Sequence, residues 1–285
     1  MKRNAFLVIL SAAALGLTAC GKKGTVIQSK GSDTMIQLAT AWGEAYKKVK
    51  PDVQINATGG GSGTGIAALQ NGTTDICASS RKIKKEEAEK IKAATGKEVV
   101  EHVVCFDALA VYVHPTCKID QVSIEELTEV WAEGGGLETW EQLGGEGGKI
   151  SLVGRQNNSG TYDYFREHIC GKKDGKQREF RQGISELVGS SEVIKTVANT
   201  PTAMAYSGKG YKNDSVKWLK VSNKKGEPGV EPSEETARNK TYPISRELYI
   251  YTVGEPEGDI KAFLDWVKGP EGQAIVRKEK FVPVK

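Results

Sequence analysis

Apolar runs with a two-residue period alternate with apolar runs of helical spacing along most of the chain. The segment VQINAT, residues 53–58, alternates apolar and polar positions, which predicts a strand. Apolar residues at helical spacing from Leu38 to Val49, followed by Pro51, predict a helix that ends before the proline. The same order recurs in both halves of the chain. It favours an α/β fold whose sheets are mostly parallel and covered by helices on both faces.

The remaining pattern predicts elements of both kinds. Ser123 and Glu126 form a capping box that opens one helix. The apolar stretch over residues 98–115 predicts extended structure broken near Phe106 and Asp107, and residues 242–253 predict a second extended stretch. Further strands are predicted over 75–79, 150–154 and 202–207, and further helices over 66–70, 82–95, 161–169, 190–199, 259–269 and 270–278.

The N-terminus carries the pattern of an exported protein. Lys2 and Arg3 precede a short apolar core that is shorter than the roughly 20 residues of a membrane-spanning helix, so residues 1–19 are predicted to be a signal peptide. The segment LTAC, residues 17–20, resembles the bacterial lipobox, whose cysteine becomes the palmitoylated first residue of the mature chain. We therefore expect a lipoprotein held through Cys20, with residues 20–25 as a tether, in the periplasm or on the outer face of the cell membrane. The alternative is an ordinary signal peptide with a chance cysteine.

Charge and cysteines narrow the classes of function. The net charge of +4 is too weak and dispersed to indicate nucleic-acid binding. Export permits disulfides among Cys77, Cys105, Cys117 and Cys170; Cys77 and Cys105 lie in apolar runs typical of free core thiols, so Cys117 with Cys170 is the pair to test first. No C-x-x-C occurs in the sequence, and no metal or cofactor is predicted.

Two polar loops carry the main candidate chemistry. GGGSGTG, residues 59–65, and RQNNSGT, residues 155–161, each lie where an extended run gives way to a helical run. A helix N-terminus presents free N–H groups and a partial positive charge, which stabilise a small oxyanion. The first loop has neither the P-loop nor the dinucleotide spacing, and a flexible turn is its alternative. Arg155 ends a buried strand, so it either pairs with a carboxylate or binds a ligand anion bidentately.

Two further loops have the same character. GSDTM, residues 31–35, precedes the first helix, and Ser79 to Arg81 lie at the carboxyl end of the strand that contains DICA, residues 75–78. Simple helix capping and a surface arginine are the alternatives. Because ligands bind beyond the carboxyl ends of parallel strands, four polar loops at such ends predict a tetrahedral oxyanion held between two lobes.

Taken together, these residues resemble the PstS-like phosphate-binding proteins of ABC importers, which have the type II periplasmic binding fold. The resemblance covers essentially the whole mature chain, through GSDTM, GGGSGTG, DICASSR, FDALAVYVHP, GRQNNSGT, AMAYS and GPEGQ. It implies two α/β lobes, each a mostly parallel sheet flanked by helices, joined by two crossovers near residues 106–107 and 244–245. Lobe 1 is then residues 26–106 plus 246–285, and lobe 2 is residues 107–245.

The resemblance also implies the function and the site. A protein of this family captures inorganic phosphate and delivers it to the membrane subunits of an ABC permease, as a monomer and without making or breaking a bond. The phosphate-binding residues it implies are Thr34, Met35, Ser62, Ser80, Arg155, Ser159, Gly160 and Thr161, with Ser32, Asp33 and Arg81 as additional candidates.

Ser80 departs from the family pattern. The best-known members carry an aspartate there, which accepts the proton of bound phosphate. Sulfate has no proton to donate, so such an acceptor discriminates against it. With Ser80 in that place, Asp33 is an alternative acceptor, and molybdate, tungstate or sulfate are alternative ligands.

An exported serine hydrolase is the alternative from another class. Ser62 or Ser159 as nucleophile needs a base, and His102, His114 and His168 are the histidines of the chain. His168 lies seven residues beyond Thr161, about 10 Å along a helix, and no G-x-S-x-G motif surrounds either serine. The sequence therefore favours a binding protein over an enzyme. A receptor that senses the anion without transporting it needs the same binding chemistry, so the sequence does not distinguish it from a transport protein.

Overall fold

The computed structural model describes residues 24–284, which form an α/β fold. The predicted signal peptide and Cys20 lie outside the described residues. The strands are β1 Thr25–Gly31, β2 Val53–Thr58, β3 Ile76–Ser79, β4 Val99–Val113, β5 Gln121–Ser123, β6 Ser151–Arg155, β7 Lys172–Lys173, β8 Lys176–Gln177, β9 Ser185–Leu187, β10 Ala203–Gly208, β11 Lys217–Ser222 and β12 Ser245–Val253. The α-helices are α1 Ile36–Val49, α2 Ser62–Gln70, α3 Lys85–Thr95, α4 Ile124–Trp131, α5 Gly160–Phe165, α6 Ser190–Ala198, α7 Glu234–Arg238, α8 Gly258–Lys268 and α9 Pro270–Lys278. Within this part of the chain, no helix combines the length and the apolar character needed to cross a membrane.

The sheet of the first lobe has the strand order β2-β1-β3-β12-β4. Strands β2, β1 and β3 are parallel, whereas β12 runs antiparallel to both of its neighbours. Apolar side chains pack on both faces. Helices α1, α8 and α9 cover one face around Trp42 and Phe263, and α2 and α3 cover the other around Leu69 and Ile91. The carboxyl ends of β1, β2 and β3 therefore meet at one edge, as parallel strands require.

The sheet of the second lobe is built around β10. This strand pairs in parallel with β6, which pairs in parallel with β9, and it pairs antiparallel with the second half of β4. On the other flank, β11 pairs with β4 and β5. A large core around Trp131 and Phe165 fills one face, and α6 covers the other around Val193. The mixed pairing arises because β12 runs antiparallel to its neighbours in the first sheet, and β4 runs antiparallel to β10 and β11 in the second.

Strand β4 carries the chain from one sheet to the other. It pairs with β12 as far as Ala108, and with β10 from Leu109 onward. The predicted break near Phe106 and Asp107 is therefore wrong: the strand is continuous, because its backbone hydrogen bonds pass from one partner to the next. The crossing nevertheless lies close to the predicted lobe boundary. We use the name lobe 1 for residues 26–106 plus 246–285 and the name lobe 2 for residues 107–245, which are the predicted bounds.

Several elements lie where the sequence pattern predicts them. Helix α1 ends at Val49, and β2 spans the residues of VQINAT. The capping box is formed, because Glu126 N–H donates to Ser123 Oγ at 3.1 Å and Ser123 N–H donates to Glu126 Oε2 at 3.0 Å. These elements have a local cause that the sequence shows directly.

The four described cysteines are free thiols, so the Cys117–Cys170 disulfide that the sequence offered for test is not formed. Cys77, Cys105 and Cys170 are buried among apolar side chains, and Cys117 packs against the lobe 2 core. Burial raises the pKa of Cys170 to about 12, which keeps this thiol protonated and unreactive. Each of these four cysteines therefore serves as a small apolar residue in or beside the core.

Candidate functional site

The four polar loops meet between the lobes. GSDTM begins at the last residue of β1, GGGSGTG follows β2, Ser80 and Arg81 follow β3, and RQNNSGT begins at the last residue of β6. Three helices, α1, α2 and α5, start in or directly after these loops. Their N-termini bring free backbone N–H groups and the positive ends of helix dipoles to one place.

A cluster of buried hydroxyl groups joins the lobes at this place. Thr34 Oγ1 of lobe 1 lies 2.7 Å from Thr161 Oγ1 of lobe 2. Ser80 Oγ lies 3.4 Å from Ser62 Oγ and 3.5 Å from Thr161 Oγ1. Each of these side chains is buried. The structure thus collects hydroxyls from segments that are up to 127 residues apart in the sequence.

Backbone contacts leave two of the site's hydroxyls with their own hydrogens available to donate. Ser62 Oγ accepts the Ser80 N–H at 3.1 Å, and Ser159 Oγ accepts the Thr161 N–H at 3.2 Å as the N-cap of α5. A hydroxyl that accepts from an N–H keeps its own hydrogen for another acceptor. These two side chains are therefore arranged as donors, which suits an anion.

Gly160 lies where the two lobes approach each other closely. A Cβ at this position would lie 2.3 Å from Ser62 Oγ and 2.8 Å from Ser80 Oγ. Its φ lies outside the left-handed region, so glycine is needed here for space and not for backbone conformation. The start of α5 can touch lobe 1 because residue 160 has no side chain.

Arg155 is fully buried at the end of β6. Its Nη2 donates to Asp33 Oδ2 at 2.9 Å, and its Nη1 donates to Ser190 Oγ at 2.9 Å. Burial lowers the pKa of Arg155, and the nearby Asp33 carboxylate opposes that shift. Arg155 therefore pairs with a carboxylate, which is one of the two alternatives that the sequence left open. Its charge lies at the junction of the two lobes.

Asp33 connects three of the loops. Its Oδ1 accepts the Gly60 N–H at 2.7 Å, and its Oδ2 accepts Gln156 Nε2 at 3.0 Å in addition to Arg155. The side chain does more than cap a helix, because it binds both the glycine loop of lobe 1 and the arginine loop of lobe 2. Asp33 is the carboxylate that the structure places beside Arg155.

The other predicted residues occupy less direct positions. The Met35 side chain lies in the lobe 1 core, and its N–H donates to Ser32 O at 3.1 Å. The Ser32 hydroxyl is buried and has no hydrogen-bond partner among the described residues. Arg81 is buried and not a surface residue: its Nη2 lies 2.6 Å from Glu87 Oε1, and its Nε lies 2.8 Å from Asp163 Oδ2 of lobe 2. Arg81 therefore links the lobes through ion pairs and does not join the hydroxyl cluster.

The structure adds residues that the sequence did not single out. Asn158 Nδ2 donates to Gly60 O at 2.8 Å across the lobes. The hydroxyl of Tyr211 donates to Asp33 O at 2.9 Å, and Arg246 Nη1 donates to Thr161 Oγ1 at 3.1 Å. Ser190, at the start of α6, holds Arg155. Asn158 lies inside a predicted loop and Ser190 opens a predicted helix, whereas Tyr211 and Arg246 carry no local signal of a site.

The histidines do not support a nucleophilic serine. His102 Nε2 lies 3.1 Å from Thr252 Oγ1, and His114 Nδ1 lies 2.8 Å from Thr116 Oγ1. The ring of His168 stacks on Tyr164 with the centroids 5.6 Å apart. Between residues 24 and 284, no histidine hydrogen-bonds to Ser62 or Ser159. A serine nucleophile is activated through such a contact with a base.

Comparison with known proteins agrees with the family resemblance seen in the sequence. Residues 18–271 match the family model described as a PBP superfamily domain. The phosphate-binding protein PstS of Pseudomonas aeruginosa is 35% identical over 272 residues, covering 90% of this chain and 83% of the relative. PstS of Bacillus subtilis is 32% identical over 310 residues, covering 100% and 95%. A putative phosphate ABC transporter substrate-binding protein from Clostridium perfringens, solved with bound phosphate, superposes with a TM-score of 0.80 at 30% identity, covering 92% of this chain and 100% of that one.

Proposed function

Since the chain belongs to the PBP superfamily, and within it to the PstS-like phosphate-binding proteins, we propose that it captures inorganic phosphate between its lobes and delivers it to an ABC permease. The observation that carries the proposal is the convergence of Thr34, Thr161 and Arg155 from opposite lobes on one buried place. The protein acts outside the cytoplasm, and the proposed site makes or breaks no bond.

Phosphate would replace the direct contacts between the hydroxyls of the two lobes. Lobe 1 supplies Thr34, Ser62, Ser80 and the N–H of Met35, which in this structure donates to Ser32 O. Lobe 2 supplies its set from one loop: Arg155, Ser159, Gly160 and Thr161. Since these groups are buried, their hydrogen bonds to an anion are stronger than they would be in water. Donors already held in place reduce the cost of ordering the site on binding.

The contacts between the lobes support closure around the anion. Asn158, Asp33 and Arg81 already hold the lobes together by hydrogen bonds and ion pairs. We propose that these contacts form when the lobes close over phosphate and break when the lobes open for release, as in hinge closure of two-domain binding proteins.

We also propose that the mature chain is a monomer anchored to the membrane through lipid on Cys20. The lipobox segment supports this anchor, since its cysteine directly follows a signal-like apolar core. In cells fed labelled palmitate, we expect the wild-type protein to carry the label and to be found in the membrane fraction. We expect a Cys20→Ser variant to carry no label. Label retained by the variant would contradict this anchor.

Calorimetry of the soluble mature chain tests the choice of anion. We expect inorganic phosphate to release heat with saturation at one site per chain, and sulfate, molybdate and tungstate to bind more weakly. Heat from tungstate or molybdate in the absence of heat from phosphate would contradict the phosphate proposal and favour another tetrahedral oxyanion.

Ser80 offers a second test of anion choice. A Ser80→Asp variant places a carboxylate beside Ser62 and Thr161, where it can accept a proton from phosphate but meets only unprotonated oxygens on sulfate. We expect the ratio of sulfate to phosphate dissociation constants to rise by about tenfold or more, because an unpaired buried acceptor costs on the order of 1–3 kcal/mol. Ser80→Ala is the control, since it removes the hydroxyl without adding charge. A ratio equal to that of the wild type would show that the proton acceptor lies elsewhere.

A further inference from the structure

Arg246 is a second buried guanidinium at the hydroxyl cluster. It lies near the start of β12 and is 5% exposed. Its Nη1 donates to Thr161 Oγ1 at 3.1 Å and to Ser80 O at 3.1 Å. One side chain thus contacts a hydroxyl of lobe 2 and the backbone of the loop that follows β3 in lobe 1.

Asp107 balances the charge of Arg246. Arg246 Nη2 and Nε donate to Asp107 Oδ2 at 2.8 and 3.1 Å, and Asp107 is fully buried on β4. Because the carboxylate neutralises the guanidinium at short range, Arg246 contributes little net charge to an anion nearby. Its contribution must come mainly through the hydrogen bonds that it makes.

The hydrogen bond to Thr161 has a fixed direction. A guanidinium carries only donors, so Thr161 Oγ1 is the acceptor and keeps its own hydrogen for another partner. In this structure the nearest such partner is Thr34 Oγ1, at 2.7 Å. With an anion in the cleft, the same hydrogen would be directed to an anion oxygen.

We propose that Arg246 is a positioning residue of the anion site, which orders the Thr161 hydroxyl as a hydrogen-bond donor to the bound anion. The proposal rests on the proposed phosphate-binding function. Because Arg246 and Asp107 lie on the two strands that join the lobes, the pair forms where the chain crosses, next to the hydroxyl it orders.

A double-mutant cycle measured by calorimetry with inorganic phosphate tests this role. Arg246→Gln in the wild-type background is expected to raise the dissociation constant about 10- to 100-fold, the effect of losing a hydrogen bond to a charged group. In the Thr161→Val background, where no hydroxyl is left to order, the same change is expected to cost no more than about threefold. The matched control is Arg181→Gln, which removes a partly buried arginine bonded to carbonyls of lobe 2 and is expected to leave affinity unchanged.

Each outcome decides the matter. Wild-type affinity in Arg246→Gln, or an equal loss in both backgrounds, would overturn the proposal and leave Arg246 as a purely structural ion pair. If Arg246→Gln does not fold, Arg246→Lys takes the place of that variant in the cycle, because lysine keeps a positive charge beside Asp107. We expect Arg246→Lys to lose about tenfold in affinity when Thr161 is present, and no more than about threefold in the Thr161→Val background. An equal loss of affinity in both backgrounds would again overturn the proposal.

Failure of the proposed function has a different signature. A wild-type protein that binds sulfate, molybdate or tungstate instead of phosphate would contradict the phosphate proposal, and the same cycle run with that anion would still decide the role of Arg246. A wild-type protein that gives no heat with any of these anions would contradict both proposals.

Discussion

Arg155→Ala is expected to weaken phosphate binding by several kcal/mol, on the order of a hundredfold or more in the dissociation constant. The wild-type guanidinium is fully buried and donates to Asp33 and Ser190. Its removal takes away a charge-assisted donor and leaves the Asp33 carboxylate without its cation beside an incoming anion. Both effects oppose phosphate, and both act in a place from which water is largely excluded.

Calorimetry with phosphate measures this loss, and circular dichroism shows whether the variant is folded. Arg155→Lys is the informative companion, because it keeps the charge but lacks the planar fork, and we expect it to lose less than alanine does. Arg238→Ala serves as the control, since Arg238 is exposed and its guanidinium pairs with Glu234 and with no residue of the hydroxyl cluster among the described residues. An Arg155→Ala variant with wild-type affinity would remove Arg155 from the site.

Gly160→Ala is expected to reduce phosphate affinity about a hundredfold by preventing the lobes from closing. The added methyl would lie 2.3 Å from Ser62 Oγ and 2.8 Å from Ser80 Oγ, well inside van der Waals contact. Overpacking of this kind costs about 1–3 kcal/mol, and here the clash exists only while the lobes are in contact. We therefore expect the variant without phosphate to melt at about the wild-type temperature, because opening the cleft relieves the clash.

Gly63→Ala is the matched control for this prediction. Gly63 also faces the opposite lobe, but a Cβ there would lie 3.4 Å from Asn158 O, which is ordinary van der Waals contact. Its affinity is expected to stay within about threefold of the wild type. Small-angle scattering should show that phosphate makes the wild type and Gly63→Ala more compact and leaves Gly160→Ala unchanged. Compaction of Gly160→Ala at wild-type affinity would show that this contact does not control closure.

The sequence predicts elements whose cause is local. A helix stopped by a proline, an alternating strand and a capping box depend on neighbouring residues, and α1, β2 and the start of α4 appear where the pattern places them. The break predicted near Asp107 fails for the opposite reason. A charged residue inside an apolar run indicates the end of a strand, but Asp107 is buried because Arg246, 139 residues away, pairs with it. No local pattern reveals such a partner.

The same distinction applies to the site. The loops around Thr34, Ser62 and Arg155 carry local signals, because small polar residues precede helices that follow strands. Tyr211 and Arg246 reach the cluster from elements whose sequences look like ordinary strand or turn. Arg81 is ambiguous in sequence, and its role depends on Asp163 of the other lobe. The residues that support a site are therefore harder to predict than those that begin its helices.

A crystal structure of the mature chain grown with phosphate tests the central claim most directly, that both lobes bind one oxyanion. The account predicts a tetrahedral anion with oxygens at hydrogen-bond distance, roughly 2.7–3.2 Å, from Thr34 and Ser62 on one side and from Arg155 and Thr161 on the other. A structure in which one lobe alone binds the anion, while the Thr34 and Thr161 hydroxyls remain hydrogen-bonded to each other, would contradict this claim.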